Sequence, residues 1–126
     1  MKDLILVVIL TLAIPSMALA GFKEATDAFD RGDSSTALKE FKSLADENDA
    51  RGQYGLGIMY DLGEGVSQNS VQAAKWYQLS AKQGYADAQN NLGVMYENGE
   101  GVAVNYEKAM KLYRKAADLG NKDAPN

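Results

Sequence analysis

Apolar and small residues recur every three or four positions through residues 86–97, which is the spacing of one helix face. Asn98-Gly99 interrupts this pattern, because glycine readily adopts the left-handed backbone conformation that ends helices. The pattern therefore predicts a helix that stops at Gly99. Its two sides carry Leu92, Met95 and Tyr96 on one and Ala86, Asn90, Gly93 and Glu97 on the other.

A second helical pattern follows after a short break. Asn105 has a side chain that can cap a helix N-terminus, and Gly120 stands where that helix should end. Two helices joined by so short a connection predict a helical hairpin. The small and apolar residues of the second helix are Ala109, Leu112, Tyr113, Ala116 and Ala117.

The same hairpin occurs twice in the chain. Residues 49–84 align with residues 85–120 at an offset of 36 without a gap, and 16 of the 36 positions are identical. Agreement of this extent identifies an internal repeat. In the earlier copy, Asn69 stands three residues before Gln72, which predicts a capping box, and Gly84 predicts the end of the second helix.

Small residues recur at equivalent positions in the two copies, and bulky residues recur at other equivalent positions. A glycine inside a helix costs about 1 kcal/mol relative to alanine, so a repeated glycine predicts that two helices approach closely. A hairpin cannot bury its apolar face alone, and stacked hairpins form a solenoid. The repeated small residues are Gly57, Gly93, Ala73, Ala81, Ala109 and Ala117, and the bulky ones are Tyr60, Tyr77, Tyr96 and Tyr113.

A shorter unit precedes the two clear copies, at AFDRGDSSTALKEFKSLADEND, residues 28–49. Its second helix is in register, because Ala37 and Phe41 fall 36 residues before Ala73 and Tyr77. A tight turn at Arg31-Gly32-Asp33 replaces the longer loop of the later units. Residues 21–126 are therefore predicted to form about three hairpins, with six helices.

These residues carry a family resemblance. LGxMYxxGEGVxxN followed by AxKxYxxxA resembles the Sel-one-like repeat, a relative of the tetratricopeptide repeat, and FDRGDSSTALKEFKSLA is similar to a tetratricopeptide-like unit. The resemblance implies an all-α, right-handed α-solenoid of about three helical hairpins. Leu112 stands where the family commonly has a tryptophan, which Trp76 retains. The units are a tetratricopeptide-like hairpin at 21–48, Sel-one-like repeats at 49–84 and 85–120, and a tail at 121–126.

The resemblance also implies a role as a protein-interaction scaffold or adaptor, with a protein partner and with the first helix of each hairpin lining a concave face. The positions on that face differ between the two copies, as expected for a surface that is free of the repeat constraint. The alternative is that exposed positions simply vary, and that Tyr54 and Ile58 pack against the neighbouring hairpin. The candidate protein-binding residues are Arg51, Tyr54, Ile58, Asp61, Asp87, Asn90, Val94 and Glu97.

The first 20 residues have the pattern of a secretory signal peptide. Lys2 precedes an apolar run of 11 residues, 4–14, which ends before Pro15, and small residues precede a predicted cut between Ala20 and Gly21. An uncleaved anchor is the alternative, but a membrane span needs roughly 20 apolar residues. The pattern predicts a periplasmic or secreted protein without a membrane anchor after cleavage.

Composition narrows the chemistry that the chain can perform. The net charge of -4 argues against nucleic acid as a partner, and the absence of cysteine and histidine removes thiol chemistry and the commonest general base. Counted from Asp46, a calcium loop would need glycine at the sixth position and glutamate at the twelfth, where Arg51 and Gly57 stand. Glu100 lies between Gly99 and Gly101, which disfavours phosphate binding there. The sequence predicts no catalytic residue, metal or cofactor.

Two further alternatives concern function. An envelope hydrolase or cell-wall-binding accessory is one, because cysteine-rich members of the resembled family have been linked to β-lactam hydrolysis. Self-association or partner binding through the C-terminal end is the other, because Leu112, Ala116 and Leu119 are expected to leave apolar surface open there. A few residues of the tail could instead shield that surface.

Overall fold

The computed structural model describes residues 17–120, and all regular structure in that range is helical. The three-hairpin α-solenoid that the repeat predicts is confirmed. Residues 1–16 of the predicted signal peptide and the predicted tail at 121–126 lie outside the described residues, whereas residues 17–20 belong to the first helix. The helices are α1 (residues 17–30), α2 (Ser34–Asp46), α3 (Ala50–Leu62), α4 (Ser70–Lys82), α5 (Ala86–Asn98) and α6 (Tyr106–Gly120).

No helix between residues 17 and 120 combines the length and apolar character that crossing a bilayer requires.

The loops of the second and third hairpins have the same construction. Gly63 and Gly99 end α3 and α5 in the left-handed conformation, with φ of 71° and 70°. The amide oxygen of Asn69 accepts a hydrogen bond from the Gln72 backbone N–H at 3.1 Å, which caps α4. The backbone N–H of Asn69 donates to the carbonyl of Tyr60, so the reciprocal half of the predicted capping box is not formed.

The first hairpin has a shorter connection. Asp33 caps α2 by accepting a hydrogen bond from the Thr36 N–H at 3.2 Å, and Gly32 makes the turn with φ of 81°. Residues 31–33 replace the seven residues 63–69 of the next hairpin. Since this connection is four residues shorter, α1 corresponds to α3 at an offset of 32, although α2 and α4 keep the offset of 36.

The hydrophobic core lies between hairpins as well as within them. One buried cluster joins Ala25 and Ala28 of α1 to Phe41 of α2 and to Leu56 and Met59 of α3. A second cluster joins α4 to α5 and has partly buried side chains of α3 and α6 packed against it. Each hairpin therefore buries its apolar face against the next one, as a solenoid requires.

Glycines allow the two helices of a hairpin to touch. A Cβ atom on Gly57 would lie 2.5 Å from two ring carbons of Tyr77, and one on Gly93 would lie 2.8 Å from the ring of Tyr113. Neither distance is compatible with a side chain at these positions. The close approach that the repeated glycine predicts is confirmed.

The second glycine of each GEGV loop allows a contact between hairpins. A Cβ atom on Gly101 would overlap the carbonyl oxygen of Ser70, which begins the second helix of the preceding hairpin. One repeat earlier, a Cβ atom on Gly65 would lie 3.2 Å from the carbonyl oxygen of Ser34, which is a tight contact without overlap. The loop therefore reverses the chain and also packs against the neighbouring unit.

Replacing Gly57 with alanine should lower stability. Overpacking costs about 1–3 kcal/mol and helix propensity returns about 1 kcal/mol, so we expect a net loss of up to about 2 kcal/mol. Urea unfolding followed by circular dichroism measures this loss. Lys75→Ala, at an exposed position of α4, is the control and should leave the midpoint unchanged or raised. A raised midpoint for Gly57→Ala would contradict the close packing.

Gly101→Ala should destabilise the chain more than Gly84→Ala. Both glycines have positive φ, 68° and 86°, so alanine pays a backbone penalty of about 1–2 kcal/mol at either position. Only Gly101 faces a neighbouring backbone, because a Cβ on Gly84 would meet one side-chain atom of Leu119 at 3.9 Å. Thermal unfolding of the two variants isolates the contact between hairpins. Equal losses would show that this contact contributes nothing.

Candidate protein-binding surface

Two residues of the predicted strip, Tyr54 and Ile58, line an open groove between α1 and α3. The groove has a volume of about 210 Å³ and is mostly apolar. We call it the α1–α3 groove. Its lining residues are Phe22, Thr26, Phe29, Asp30, Phe41, Tyr54, Gly55 and Ile58.

The floor of the α1–α3 groove depends on a glycine. Phe41 of α2 is buried beneath it, and a Cβ atom on Gly55 would overlap the Phe41 ring. Phe22 and Phe29 pack against the first core cluster and remain partly exposed on the groove side. The groove is thus a depression in a packed core, with walls that the core itself holds in place.

Arg51 lies beside the groove and is held in place. Its guanidinium carbon is 5.1 Å from the ring centroid of Phe22, and its Nη2 is 2.7 Å from Oδ2 of Asp49. The side-chain hydrogen bond from Arg51 is the main cause that lowers the pKa of Asp49, which also caps α3. Arg51 therefore supplies a fixed donor at the edge of an apolar groove.

Tyrosines connect the strip to the helices behind it. The ring centroid of Tyr54 lies 5.9 Å from that of Tyr77 and 5.0 Å from that of Tyr85. Burial raises the pKa of Tyr54 and of Tyr77, because the surroundings disfavour the charged phenolate. The Tyr77 hydroxyl donates to Oδ2 of Asp61 at 3.3 Å. Tyr54 thus belongs both to the groove and to the packing of the next hairpin.

Asp61 and Glu97 have the same structural role in successive repeats. Tyr77 donates to Asp61, and Tyr113, 36 residues later, donates to Oε1 of Glu97 at 3.3 Å. Each bond joins the first and second helices of one hairpin. These two members of the predicted strip therefore hold their own hairpin together in addition to any contact with a partner.

The α5 part of the predicted strip does not join the groove. Asp87, Asn90, Val94 and Glu97 are all exposed, and none of them lines the α1–α3 groove. Tyr54 and Ile58 pack against the second core cluster, which joins α4 of their own hairpin to α5 of the next, and the ring of Tyr54 also lies beside that of Tyr85. The strip consists of an apolar groove on α3 and an exposed, mostly polar stretch on α5.

The sequence prediction omitted the residues that α1 contributes. At the offset of 32 that the short first turn imposes, Phe22 corresponds to Tyr54 and Thr26 to Ile58. Aligning the first helices from their C-terminal ends, rather than at the constant offset of 36, would have revealed both positions.

Buried polar side chains in the described range are those of Gln53, Ser80 and Gln89. Ser80 is fully buried, and its hydroxyl donates to the Ala50 carbonyl at 2.7 Å. Residues 17–120 contain no group of three or more carboxylates placed to bind a metal ion. No specific observation within residues 17–120 favours the alternative of an envelope hydrolase.

Comparisons with solved structures agree with this architecture. A Sel1 repeat protein from Oxalobacter formigenes is 36% identical to this chain, with a TM-score of 0.71. The match covers 80% of this chain and 40% of that protein. A protective antigen of uropathogenic Escherichia coli, which displays an SLR fold, is 35% identical with a TM-score of 0.76; 87% of this chain covers 24% of that one. Cysteine rich protein B of Helicobacter pylori is 28% identical with a TM-score of 0.66, at coverages of 71% and 68%.

The chain thus spans less than half the length of the first two of these proteins. No match was found among curated proteins. The family model for the Sel1 repeat matches residues 50–85 and 86–121, the two hairpins with GEGV loops. Sel1 repeat proteins are protein-interaction scaffolds. With more than half of its residues in these two matches, the chain belongs to the Sel1 repeat family.

Proposed function

We propose that the chain is an exported scaffold that assembles or regulates an envelope or secreted complex by binding a partner protein in the α1–α3 groove. The observation that supports this most directly is the open apolar groove formed by Phe22, Phe29, Tyr54 and Ile58. Apolar side chains that remain exposed around a preformed depression are typical of interaction sites.

The groove suits one large apolar side chain of a partner. Burying a leucine or phenylalanine side chain contributes about 1.5–3 kcal/mol, and little of that is lost to reorganisation because the walls belong to the core. Arg51 at the edge offers N–H donors, and Asp30 in the lining offers a carboxylate acceptor. These polar groups would orient the partner segment, while the apolar floor supplies most of the affinity.

Export is supported by the N-terminal pattern of one lysine, an apolar run and small residues before Gly21. A periplasmic or extracellular location would place the groove among envelope or secreted proteins. The similarity to a protective antigen of a pathogenic Escherichia coli is consistent with such a location.

A photo-reactive amino acid at Thr26 should form covalent adducts with the partner. Thr26 lies in the groove lining and is only partly buried, so the substitution leaves the core intact. The same amino acid at Lys75, on the exposed side of α4, is the matched control. We expect one dominant adduct at Thr26, several-fold more abundant than any adduct at Lys75. Equal yields at the two positions, or no adduct at Thr26, would refute the groove as the binding site.

The exported chain should begin at Gly21, which N-terminal sequencing of the periplasmic and extracellular fractions can establish. Ala20→Arg should block cleavage, because the peptidase requires a small residue immediately before the cut. Leu19→Gln is the control and should be processed normally, since the position between the two small residues is tolerant. A wild-type chain that retains Met1 and stays inside the cell would contradict export without testing the groove.

A further inference from the structure

A second groove is lined by residues of α4, α5 and α6. Two adjoining depressions, of about 200 and 380 Å³, share Leu92, Tyr96 and Leu112 as an apolar floor. None of the residues of the α1–α3 groove lines them. We call this surface the α4–α6 groove.

The rim of the α4–α6 groove is basic. Lys82 of α4 and Lys108, Lys111 and Lys115 of α6 line it, and none of the lining side chains is acidic. The ammonium of Lys108 lies 5.3 Å from the ring centroid of Tyr96, and Lys111 forms a loose exposed pair with Glu107 at 3.5 Å. A chain with a net charge of -4 therefore carries a locally positive surface around an apolar floor.

The preceding repeat fills the equivalent space with its own side chains. Trp76 occupies the position of Leu112 and packs against the first core cluster. Gln83 occupies the position of Leu119, and its Nε2 donates to Oε1 of Gln53 at 2.8 Å. The earlier repeat thus has the ring of Trp76 and the amide donor of Gln83 at these two positions. The later repeat has Leu112 and Leu119 there.

The later repeat consequently contains a buried acceptor that lacks a donor. Gln89 is the equivalent of Gln53, is only 4% exposed and lines the groove. Its Nε2 donates to the carbonyl of Ala81 at 3.1 Å, but its Oε1 has no hydrogen-bond partner. A buried acceptor without a donor is costly, and a ligand that brings an N–H group would remove that cost.

We propose that the α4–α6 groove binds an acidic segment of a partner protein. One large apolar side chain of the segment lies on Leu92 and Leu112 and takes the place that Trp76 fills one repeat earlier. Carboxylates of the segment pair with the lysines of the rim, and an N–H group donates to Oε1 of Gln89. A peptide supplies all three kinds of group, whereas a free phosphate offers no apolar side chain for the floor formed by Leu92 and Leu112. The inference does not rest on the α1–α3 groove.

The first experiment selects a random peptide library, displayed on phage, on the full chain. Bound phage are depleted on the Lys111→Glu/Lys115→Glu variant, so that only peptides that need these lysines remain. We expect enrichment of Asp and Glu around a Trp, Phe or Leu. Peptides without an acidic bias, or a selected pool that binds the variant equally well, would overturn the proposal.

The second experiment measures the most enriched peptide, labelled with fluorescein, by fluorescence anisotropy. Lys111→Glu/Lys115→Glu should weaken binding roughly tenfold or more, because attraction becomes repulsion at two positions. Lys39→Glu/Lys75→Glu changes the exposed lysines that occupy the position of Lys111 in the two earlier hairpins, and it should weaken binding less than about twofold. Equal losses for the two variants would show that only net charge matters.

A third variant tests the groove without changing charge. Leu112→Trp/Leu119→Gln restores the ring and the amide of the earlier repeat, so the fold should be retained or stabilised while peptide binding is lost. Unchanged binding by this folded variant would overturn the proposed location. Binding to phosphatidylglycerol vesicles that depends on Lys111 and Lys115, with no peptide binding, would assign the surface to membranes instead.

Discussion

The contact between a helix glycine and a tyrosine ring in each of the last two hairpins fixes much of the rest of the structure. Because Gly57 and Gly93 have no side chain, Tyr77 and Tyr113 lie directly on the backbone of the facing helix. Their hydroxyls then reach the carboxylates of Asp61 and Glu97 near the ends of those helices. The second helix therefore contacts only one side of the first helix of its hairpin. The opposite side of that first helix packs against the preceding hairpin.

Both grooves arise where one repeat departs from the other. The α1–α3 groove exists because the first helix brings Phe22 and Phe29 above a glycine-lined floor at Gly55. The α4–α6 groove lies where Leu112 stands in place of Trp76, which packs against the first core cluster one repeat earlier. Core residues such as Leu56 and Met59 recur as Leu92 and Met95 in the next copy, so differences at the grooves are where individual function can be encoded without loss of the fold.

The fold was predictable because each of its determinants is local. The offset of 36, the caps at Asn69 and Asn105 and the glycines at helix ends are all visible along the chain. The site was only partly predictable. Phe22 and Thr26 were missed because the short first turn changes the register of α1. The bonds to Asp61 and Glu97, and the orphan acceptor of Gln89, depend on distances across the packed helices, which periodicity does not contain.

The contact between Gly101 and the preceding hairpin affects how a repeat array of this kind can be extended. On the preceding hairpin, Gly101 faces the main-chain carbonyl of Ser70. Every residue type has such a carbonyl, so the contact does not depend on which residue stands at that position. A unit that carries the GEGV loop therefore makes this one contact with any residue at the position of Ser70, while the apolar core between hairpins still depends on side chains of both units. Gene duplication can then lengthen the array one module at a time, with each new module free to diverge on its outer surfaces. The number of modules becomes an evolutionary variable that is separate from the stability of any single junction.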